Sequence, residues 1–398
     1  MDIPTIKGGF PVRDDMLIFG KPDIRNAEIQ EVLSSLKSGW IGTGPKVAHF
    51  EEIFRDYKGT KHAVAVNSGS AALHLALLVS AIKPGDEVIT SSMTFCATLN
   101  AIIHAGATPV IVDCDRITMN IDPGEIKKKI TMRTRVIIPV HFAGYPCKMD
   151  IINNIADEYE LKVIEDCAHA IESEYQGKRV GTFGQFGCFS FYVTKNVVTG
   201  EGGMVISSSR EYADLIKSLA IHGMTQDAWK RFSDEGYKHY SIVGPGFKYN
   251  MMDLQAALGI HQLKRVECSW ERRKEVWKQY NDSLGTLPLR LPSEGNQSVK
   301  HAYHLYTILL DVERLTVNRD YILDALTKEN IGVGVHYLPV SSHKYYQNNY
   351  GWNEDDYPNS KWIGERTISL PLSSGMSDKD VNDVITAVKK VLSYFVKT

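Results

Sequence analysis

Residues 189–203 read Phe-Ser-Phe-Tyr-Val-Thr-Lys-Asn-Val-Val-Thr-Gly-Glu-Gly-Gly and place Lys195 between a strand-like apolar run and a glycine-rich turn. A free lysine amine has a pKa of about 10.4, so a neutral nucleophile near pH 7 requires a pKa about 3 lower. Burial at the end of a strand can lower the pKa in this way, because it disfavours the charged form. By its position alone, Lys195 is either a catalytic nucleophile or one more solvated surface lysine.

A second segment, residues 161–170, reads Leu-Lys-Val-Ile-Glu-Asp-Cys-Ala-His-Ala and is typical of a buried strand that ends in a carboxylate. In open α/β sheets, ligands bind at the carboxyl ends of the strands, which is where this pattern places Asp166. Pyridoxal phosphate (PLP) requires a lysine that holds its aldehyde and an acid that keeps its pyridine nitrogen protonated. Asp166 and Lys195 are therefore a candidate pair for PLP, although a single aspartate here is more often a turn or cap residue.

A third segment, residues 66–77, begins Val-Asn-Ser-Gly-Ser and continues as an apolar helical run. Exposed backbone N–H groups at the start of such a helix, together with the helix dipole, can bind a phosphate group. Serine and glycine are also ordinary N-cap residues, so this segment indicates a phosphate site only weakly.

Further motifs are spread over nearly the whole chain. They are SGWIGTGP (38–45), NSGS (67–70), TFCAT (94–98), PVHFAG (139–144), EDCAH (165–169), GFKYNMMD (246–253), VHY (335–337) and SLPL (369–372). In this order, and with the Lys195 segment, they resemble the DegT/DnrJ/EryC1/StrS family of PLP-dependent sugar aminotransferases. The resemblance implies an α/β protein of PLP-dependent transferase fold type I, like aspartate aminotransferase, with a mostly parallel central sheet and a smaller C-terminal α+β domain.

The resemblance also implies roles for individual residues. Lys195 matches the lysine that binds the cofactor as an internal aldimine, and Asp166 matches the partner of the pyridinium nitrogen. The other implied cofactor contacts are His169 beside the ring, Phe95 over its face, Gly69, Ser70 and Ser190 at the phosphate, and Asn250 at the phosphate of the second subunit. The implied substrate contacts are Trp40, Thr43, Lys248 and His336. Without the resemblance, Phe95 would be interpreted as core packing, Ser190 as an ordinary strand serine and His336 as a half-buried histidine. No metal site is expected.

The implied reaction moves an amino group from L-glutamate to a nucleotide-linked keto sugar at C-4, through pyridoxamine phosphate, in a homodimer with shared active sites. A related branch of the family has histidine in place of the lysine and performs dehydration, so Lys195 favours transamination. Tyr192 stands where many relatives have histidine, which is expected to affect substrate handling. A PLP-dependent dehydratase or lyase acting on a similar sugar, and a non-catalytic sensor with the same fold, remain alternatives.

The composition is that of a soluble enzyme. The 398 residues carry a net charge of −2, so neither nucleic acid nor an anionic membrane is an expected partner. The six cysteines show no Cys-x-x-Cys pairing, and the first seven residues lack the pattern of a signal peptide. A reducing cytoplasm is the expected location.

Strand-like and helix-like segments alternate over the first two thirds of the chain, which predicts a mostly parallel sheet. The predicted strands are 62–67, 86–91, 109–113, 134–140, 161–166, 187–192 and 203–207, and the helices include 71–83 and 96–105. Later β candidates lie around Tyr303, around 308–310 and at 332–336. We place a large PLP-binding domain at 1–260 and a small C-terminal domain at 261–398. The segment 225–245, with Lys230, Arg231 and Lys238, is interpreted either as a solvated loop or as a mobile loop that holds a nucleotide diphosphate.

Overall fold

A seven-stranded sheet forms the centre of the fold in the computed structural model, which describes residues 2–224 and 241–397. The strands, in chain order, are β1 His62–Val66, β2 Glu87–Ser91, β3 Thr108–Val112, β4 Thr134–Ile138, β5 Lys162–Asp166, β6 Glu174–Tyr175, β7 Lys178–Arg179, β8 Phe186–Ser190, β9 Gly203–Ser207, β10 Leu289–Arg290, β11 Val299–Lys300, β12 Tyr306–Leu310 and β13 Thr367–Leu370. The central sheet has the order β1-β9-β8-β5-β4-β2-β3. Only β9 runs against its neighbours in this sheet, which confirms the predicted mostly parallel arrangement.

The helices cover both faces of this sheet. They are α1 Asn26–Ser38, α2 Pro45–Lys58, α3 Gly69–Val79, α4 Cys96–His104, α5 Pro123–Lys129, α6 Met149–Glu158, α7 Arg210–Ala220, α8 Asp253–Lys264, α9 Val266–Leu284, α10 Arg319–Lys328, α11 Lys344–Tyr350, α12 Pro358–Gly364 and α13 Asp378–Tyr394. Along β1, Val64 and Val66 pack with α3, whereas Ala63 and Ala65 pack with α2 and α8. Because side chains alternate along a strand, an apolar run such as this one is buried on both faces.

The parallel strands end at a common edge, and this edge carries the residues of interest. In the register of β5 and β8, Asp166 lies beside Cys188, and β8 ends two residues later at Ser190. The chain then passes through a turn that contains Lys195, whose backbone N–H donates to the Tyr192 carbonyl at 2.8 Å. The two separate sequence segments that carry Asp166 and Lys195 are thus neighbours at the carboxyl edge of the sheet.

The second half of the chain also forms a separate three-stranded sheet, β10-β12-β13. A hydrophobic core joins this sheet to α9, α10 and α13, and the N-terminal residues Ile6, Val12 and Leu17 pack against it. The domain boundary near residue 260 stays a prediction, and it falls inside α8.

Two of the β candidates in this half were wrong. Residues 332–336 do not form a strand, because only the single bridge between Gly334 and Ser369 pairs this segment with β13. Tyr303 adopts a φ of +48°, a left-handed conformation that cannot continue a strand, so β12 begins at Tyr306. Both irregular segments lead into the cavity described below.

Within residues 2–224 and 241–397, none of the helices is both long and apolar enough to cross a lipid bilayer.

Candidate active site

A cavity of about 400 Å³ opens at the carboxyl edge of the central sheet. Eight of the residues chosen from the sequence line it: Gly69, Ser70, Phe95, Asp166, His169, Ser190, Lys195 and His336. The strand ends, the first turn of α3 and the start of α4 provide one wall. Residues from the second half of the chain, namely His304, Leu305, His336 and Tyr337, provide the other.

Asp166 ends β5 with its carboxylate buried at the floor of the cavity, where the residue is 5% exposed. The hydroxyl of Thr98 donates to Asp166 Oδ2 at 2.9 Å, and the backbone N–H of Ala168 donates to Oδ1 at 3.1 Å. Burial raises the pKa of the Asp166 carboxyl, against the opposing effects of these two hydrogen bonds and of the Lys195 charge. A buried carboxylate of this kind is stabilised by a cation in the cavity.

Lys195 lies in the same cavity, and burial lowers the pKa of its amine to about 8, although the nearby Asp166 carboxylate opposes that change. An appreciable fraction of such an amine is neutral near pH 7, and the neutral form is the nucleophile that attacks an aldehyde. Desolvation of the kind expected from the sequence therefore acts on Lys195.

The anion-binding end of the cavity is formed by the start of α3 and the end of β8. Ser68 caps α3 by accepting a hydrogen bond at Oγ from the backbone N–H of Ala71 at 3.1 Å. A Cβ atom added at Gly69 would lie 2.8 Å from Cβ of Ser190, so glycine allows the helix to approach the strand this closely. The free N–H groups of the first helical turn and the Ser190 hydroxyl form a small, polar recess suited to a phosphate group.

His169 is held in one tautomer at the side of the cavity. Its Nδ1 accepts a hydrogen bond from the backbone N–H of Ala143 at 3.2 Å, so the proton of the neutral ring is on Nε2, which lies 3.1 Å from the Tyr337 hydroxyl oxygen. Burial, with a further effect of the Lys195 charge, lowers the pKa of His169 well below its usual value. A neutral, fixed ring is thus available for contact with a flat ligand.

Aromatic rings cover part of the cavity mouth. Phe95 is 56% exposed, and its ring lies 5.7 Å from the Tyr337 ring, centroid to centroid. An exposed aromatic ring at the mouth of a cavity is not expected from core packing alone, and it can cover the face of a planar ligand while excluding water. This placement favours the cofactor-stacking interpretation of Phe95.

Sequence reasoning missed three residues of the site: Thr98, Tyr337 and His304. Thr98 and Tyr337 lie within motifs quoted above, and the hydrogen bonds to Asp166 and His169 give them roles that the motifs alone did not show. His304 precedes β12 and lies outside every quoted motif. Its only signal in the sequence is a second histidine, His301, three positions earlier.

Four predicted residues lie outside this cavity: Trp40, Thr43, Lys248 and Asn250. Asn250 Nδ2 donates to the Thr43 hydroxyl oxygen at 2.6 Å, and Trp40 is 51% exposed nearby, before the start of α2. The backbone of Lys248 bridges to Ile221. Lys230, Arg231 and Lys238 lie outside the described residues.

A buried cluster below the cavity serves the structure of the site. The side-chain ligand atoms of His141, Glu165 and Cys167 lie within 4.8 Å of one another. The Glu165 carboxylate, however, already accepts hydrogen bonds from backbone N–H groups between residues 181 and 184 and lies 3.1 Å from His141 Nε2, while His141 Nδ1 accepts from the backbone N–H of Cys147 at 3.0 Å. Those bonds fix the loop before β8, beneath Asp166.

The side chains and backbone groups that line the cavity suit the chemical groups of PLP. A cation stabilises the buried Asp166 carboxylate, and a protonated pyridine nitrogen supplies one. The Lys195 amine can bind an aldehyde, the start of α3 can bind a phosphate, and Phe95 and His169 can lie against a flat ring. The site therefore has the groups of a PLP-dependent enzyme.

Comparisons with known proteins agree with this class. The model of the DegT/DnrJ/EryC1/StrS aminotransferase family matches residues 22–389, and the chain belongs to this family. It is 47% identical over 381 residues to the spore coat polysaccharide biosynthesis protein SpsC of Bacillus subtilis, covering 96% of this chain and 98% of SpsC. It is 49% identical over 382 residues to an uncharacterised protein, MJ1066, of Methanocaldococcus jannaschii, covering 96% and 99% of the two chains.

Solved structures give the same result. The PLP form of the putative sugar aminotransferase Spr1654 of Streptococcus pneumoniae is 33% identical with a TM-score of 0.89, covering 96% of this chain and 100% of the other. Helicobacter pylori PseC, an aminotransferase involved in the biosynthesis of pseudoaminic acid, is 28% identical with a TM-score of 0.89 and the same coverage. The protein is a PLP-dependent aminotransferase of fold type I, as its motifs predicted.

Proposed function

We propose that this enzyme transfers the amino group of L-glutamate to a nucleotide-linked keto sugar, at C-4 of the sugar ring. The observation that carries the proposal is that Asp166 and Lys195 line one cavity together with the start of α3, whose backbone N–H groups suit a phosphate group. The choice of C-4, of glutamate and of a nucleotide-linked sugar comes from the motif resemblance.

The similar proteins support a sugar as the amino acceptor. Spr1654 is described as a putative sugar aminotransferase, and PseC as an aminotransferase involved in pseudoaminic acid biosynthesis. The name of SpsC refers to spore coat polysaccharide biosynthesis. We therefore propose a role in supplying an amino sugar for polysaccharide biosynthesis.

PLP, when bound, supplies an electron sink that stabilises negative charge at the substrate carbon. Asp166, held in place by Thr98 and the Ala168 N–H, would supply the negative charge that keeps the ring nitrogen protonated. Lys195 Nζ takes the proton from the substrate carbon and later returns one. The rings of Phe95 and Tyr337, 5.7 Å apart, would lie over the bound ligand and exclude water from the reacting atoms. Binding energy from the nucleotide holds the small sugar in place.

A homodimer with shared active sites is part of the proposal. Exposed apolar side chains at helical spacing follow one face of α1 and continue beyond it: Ile29, Leu33, Leu36, Trp40 and Ile41. Such a contiguous apolar surface is typical of an interface between subunits. Asn250 lies beside Thr43, next to this surface, and does not line the cavity of its own chain, so we propose that it completes the partner's phosphate site.

Mixing inactive subunits tests the shared sites. An Asn250→Ala chain and a Lys195→Ala chain, each inactive as a homodimer, should recover activity when combined. One site of each mixed dimer then has an intact Lys195 from one chain and an intact Asn250 from the other. Verified heterodimers with no recovered activity would contradict a shared site.

The proposed reaction is tested in two stages with purified holoenzyme. Glutamate alone should remove the visible absorption band of the bound cofactor and release 2-oxoglutarate. A nucleotide-linked 4-keto-6-deoxyhexose, chosen from a panel of UDP and dTDP derivatives, should then restore the band and yield an amino sugar. A sugar product without nitrogen would favour a dehydratase or lyase, and bound cofactor without any turnover would favour a sensor.

We also propose a cytoplasmic location for the enzyme. All six cysteines lie in the described residues, and none is in a disulfide, as expected in a reducing compartment.

A further inference from the structure

His304 is a buried side chain of the cavity wall with no role in the scheme above. It precedes β12, is 5% exposed and lines the cavity. Its ring centroid is 4.6 Å from that of His169. His304 therefore lies within the catalytic cavity and comes from the opposite half of the chain to Asp166 and Lys195.

The tautomer of His304 follows from the orientation of Asn196. Asn196 Nδ2 donates to Glu172 Oε2 at 2.9 Å and to the Ala302 carbonyl at 3.1 Å, so the amide oxygen is directed the other way. This oxygen lies 3.0 Å from His304 Nδ1 and can only accept. The neutral His304 ring therefore carries its proton on Nδ1 and leaves Nε2 with a free lone pair.

Two buried groups prevent Asn196 from turning round. The Glu172 carboxylate, 0% exposed, is paired with the Arg273 guanidinium, which is 2% exposed. A rotated Asn196 amide would present its oxygen to that carboxylate and lose two hydrogen bonds. Burial is the main cause that keeps the pKa of His304 well below its usual value. The Lys195 charge, His336, the Arg273 charge and His301 lower this pKa further.

The two neighbouring histidines differ in what they offer to a ligand. Both ring nitrogens of His169 are engaged, with Ala143 and Tyr337. His304 has one engaged nitrogen, and over the described ranges Nε2 has no hydrogen-bond partner. A fixed acceptor on a cavity wall suits a hydroxyl group, and hydroxyls are abundant on a sugar and absent from glutamate.

We propose that His304 Nε2 accepts a hydrogen bond from a hydroxyl group of the sugar, and that Asn196 and Glu172 position it to do so. His304 is then a binding residue for the amino acceptor and has no part in recognising the amino donor. This inference rests on the proposed function, because it requires a sugar substrate.

The two half-reactions separate this role from a general structural one. His304→Leu removes the acceptor and should raise the KM for the sugar about 10-fold, the size expected of one hydrogen bond, while the glutamate half-reaction changes far less. His304→Gln keeps an acceptor oxygen and should recover most of the affinity. His301→Leu is the matched control, because His301 is also buried, 3% exposed, but does not line the cavity.

A second measurement reads the tautomer directly. In ¹⁵N-histidine NMR spectra of the holoenzyme, the signals lost in His304→Gln should show a protonated Nδ1 and an unprotonated Nε2. Asn196→Ala removes the fixed acceptor, so the protonated-Nε2 form should appear and the KM for the sugar should rise. A protonated Nε2 in the wild type would overturn the inference.

The outcomes also separate this inference from the proposed function. A wild-type enzyme that aminates no keto sugar of the UDP and dTDP panel would overturn both. A wild-type enzyme that aminates a sugar, together with an unchanged sugar KM in His304→Leu or an equal loss in both half-reactions, would overturn only the role of His304.

Discussion

Within the part of the chain that the structure describes, Lys58 lies in the core and Lys195 lies in the catalytic cavity, and desolvation lowers the pKa of each to about 8. Lys58 ends α2, where its Nζ donates to the Ile171 carbonyl at 3.1 Å and lies 4.8 Å from the centre of the Phe189 ring. Phe189 points to the opposite face of β8 from Cys188 and Ser190, which line the cavity. Lys195 lines that cavity with Asp166.

The comparison shows that a lowered pKa does not by itself identify a catalytic lysine. Desolvation produces a similar effect in both places, because it depends on burial and not on function. What distinguishes Lys195 is the space beside it and the carboxylate that faces the same space. The predictions that follow test whether groups that face the cavity take part in catalysis or cofactor binding while comparable groups that face the core do not.

The largest effect is expected from replacing each lysine in turn. Lys195→Ala should lower turnover by about 10³-fold or more, since it removes both the cofactor-binding amine and the proton carrier. Lys58→Met should keep its activity, because it replaces a buried charge with an apolar chain of similar length. Steady-state transamination rates of the two variants decide the comparison. A comparable loss of turnover in a folded Lys58→Met enzyme would contradict the distinction between the cavity lysine and the core lysine.

The next effect is expected at Asp166. Asp166→Asn keeps the size of the side chain but removes the charge opposite the ring nitrogen, so turnover should fall by about 10²-fold or more while the cofactor stays bound. The cofactor content of the purified variant, measured by absorbance, separates lost catalysis from lost binding. Turnover near that of the wild type would remove Asp166 from the mechanism.

The pH dependence of cofactor uptake should distinguish the two lysines. Because only the neutral amine attacks an aldehyde, the rate of PLP uptake by the apoenzyme should rise with pH, with a midpoint near the Lys195 pKa of about 8. In Asp166→Asn the midpoint should move to lower pH, since the carboxylate raises the Lys195 pKa. Stopped-flow absorbance over this pH range gives both midpoints. A midpoint that moves in Lys58→Met would mean that the core lysine takes part.

The smallest effect is expected at two helix caps, one of which lies at the cavity while the other does not. Ser68 Oγ caps α3 at the cavity, and Ser209 Oγ caps α7 by accepting from the Tyr212 N–H at 3.3 Å, away from it. Replacing either serine with alanine should lower the free energy of unfolding by about 1 kcal/mol. Only Ser68→Ala should also weaken PLP binding. Denaturant unfolding and PLP titration measure the two effects, and equal PLP affinities would show that the α3 cap plays no part in the phosphate site.

Regular structure explains what the sequence could predict. Asp166 and Ser190 each end a strand of a parallel sheet, and Gly69 opens a helix, so apolar runs and turn residues place them at one edge without further information. The Lys195 turn follows directly from β8. The predicted strands of the central sheet agree with the structure for the same reason.

Irregular structure explains what the sequence could not predict. His304 and Tyr337 enter the cavity from segments that have no period of their own, and each lies more than a hundred positions from Lys195. Their positions depend on how the β12 and β13 sheet packs against the large sheet. Residues 332–336 were predicted to form a strand. In the structure this segment pairs with β13 through a single bridge, and its position depends on the packing of the two sheets.

The most direct test of the central claim is to find which lysine carries the cofactor. Borohydride makes the reversible bond between PLP and its lysine permanent, and peptide mapping by mass spectrometry then locates the label. We predict a single labelled peptide that contains Lys195, with no label on Lys58. A label on Lys58, or on any lysine other than Lys195, would contradict the assignment of the active site.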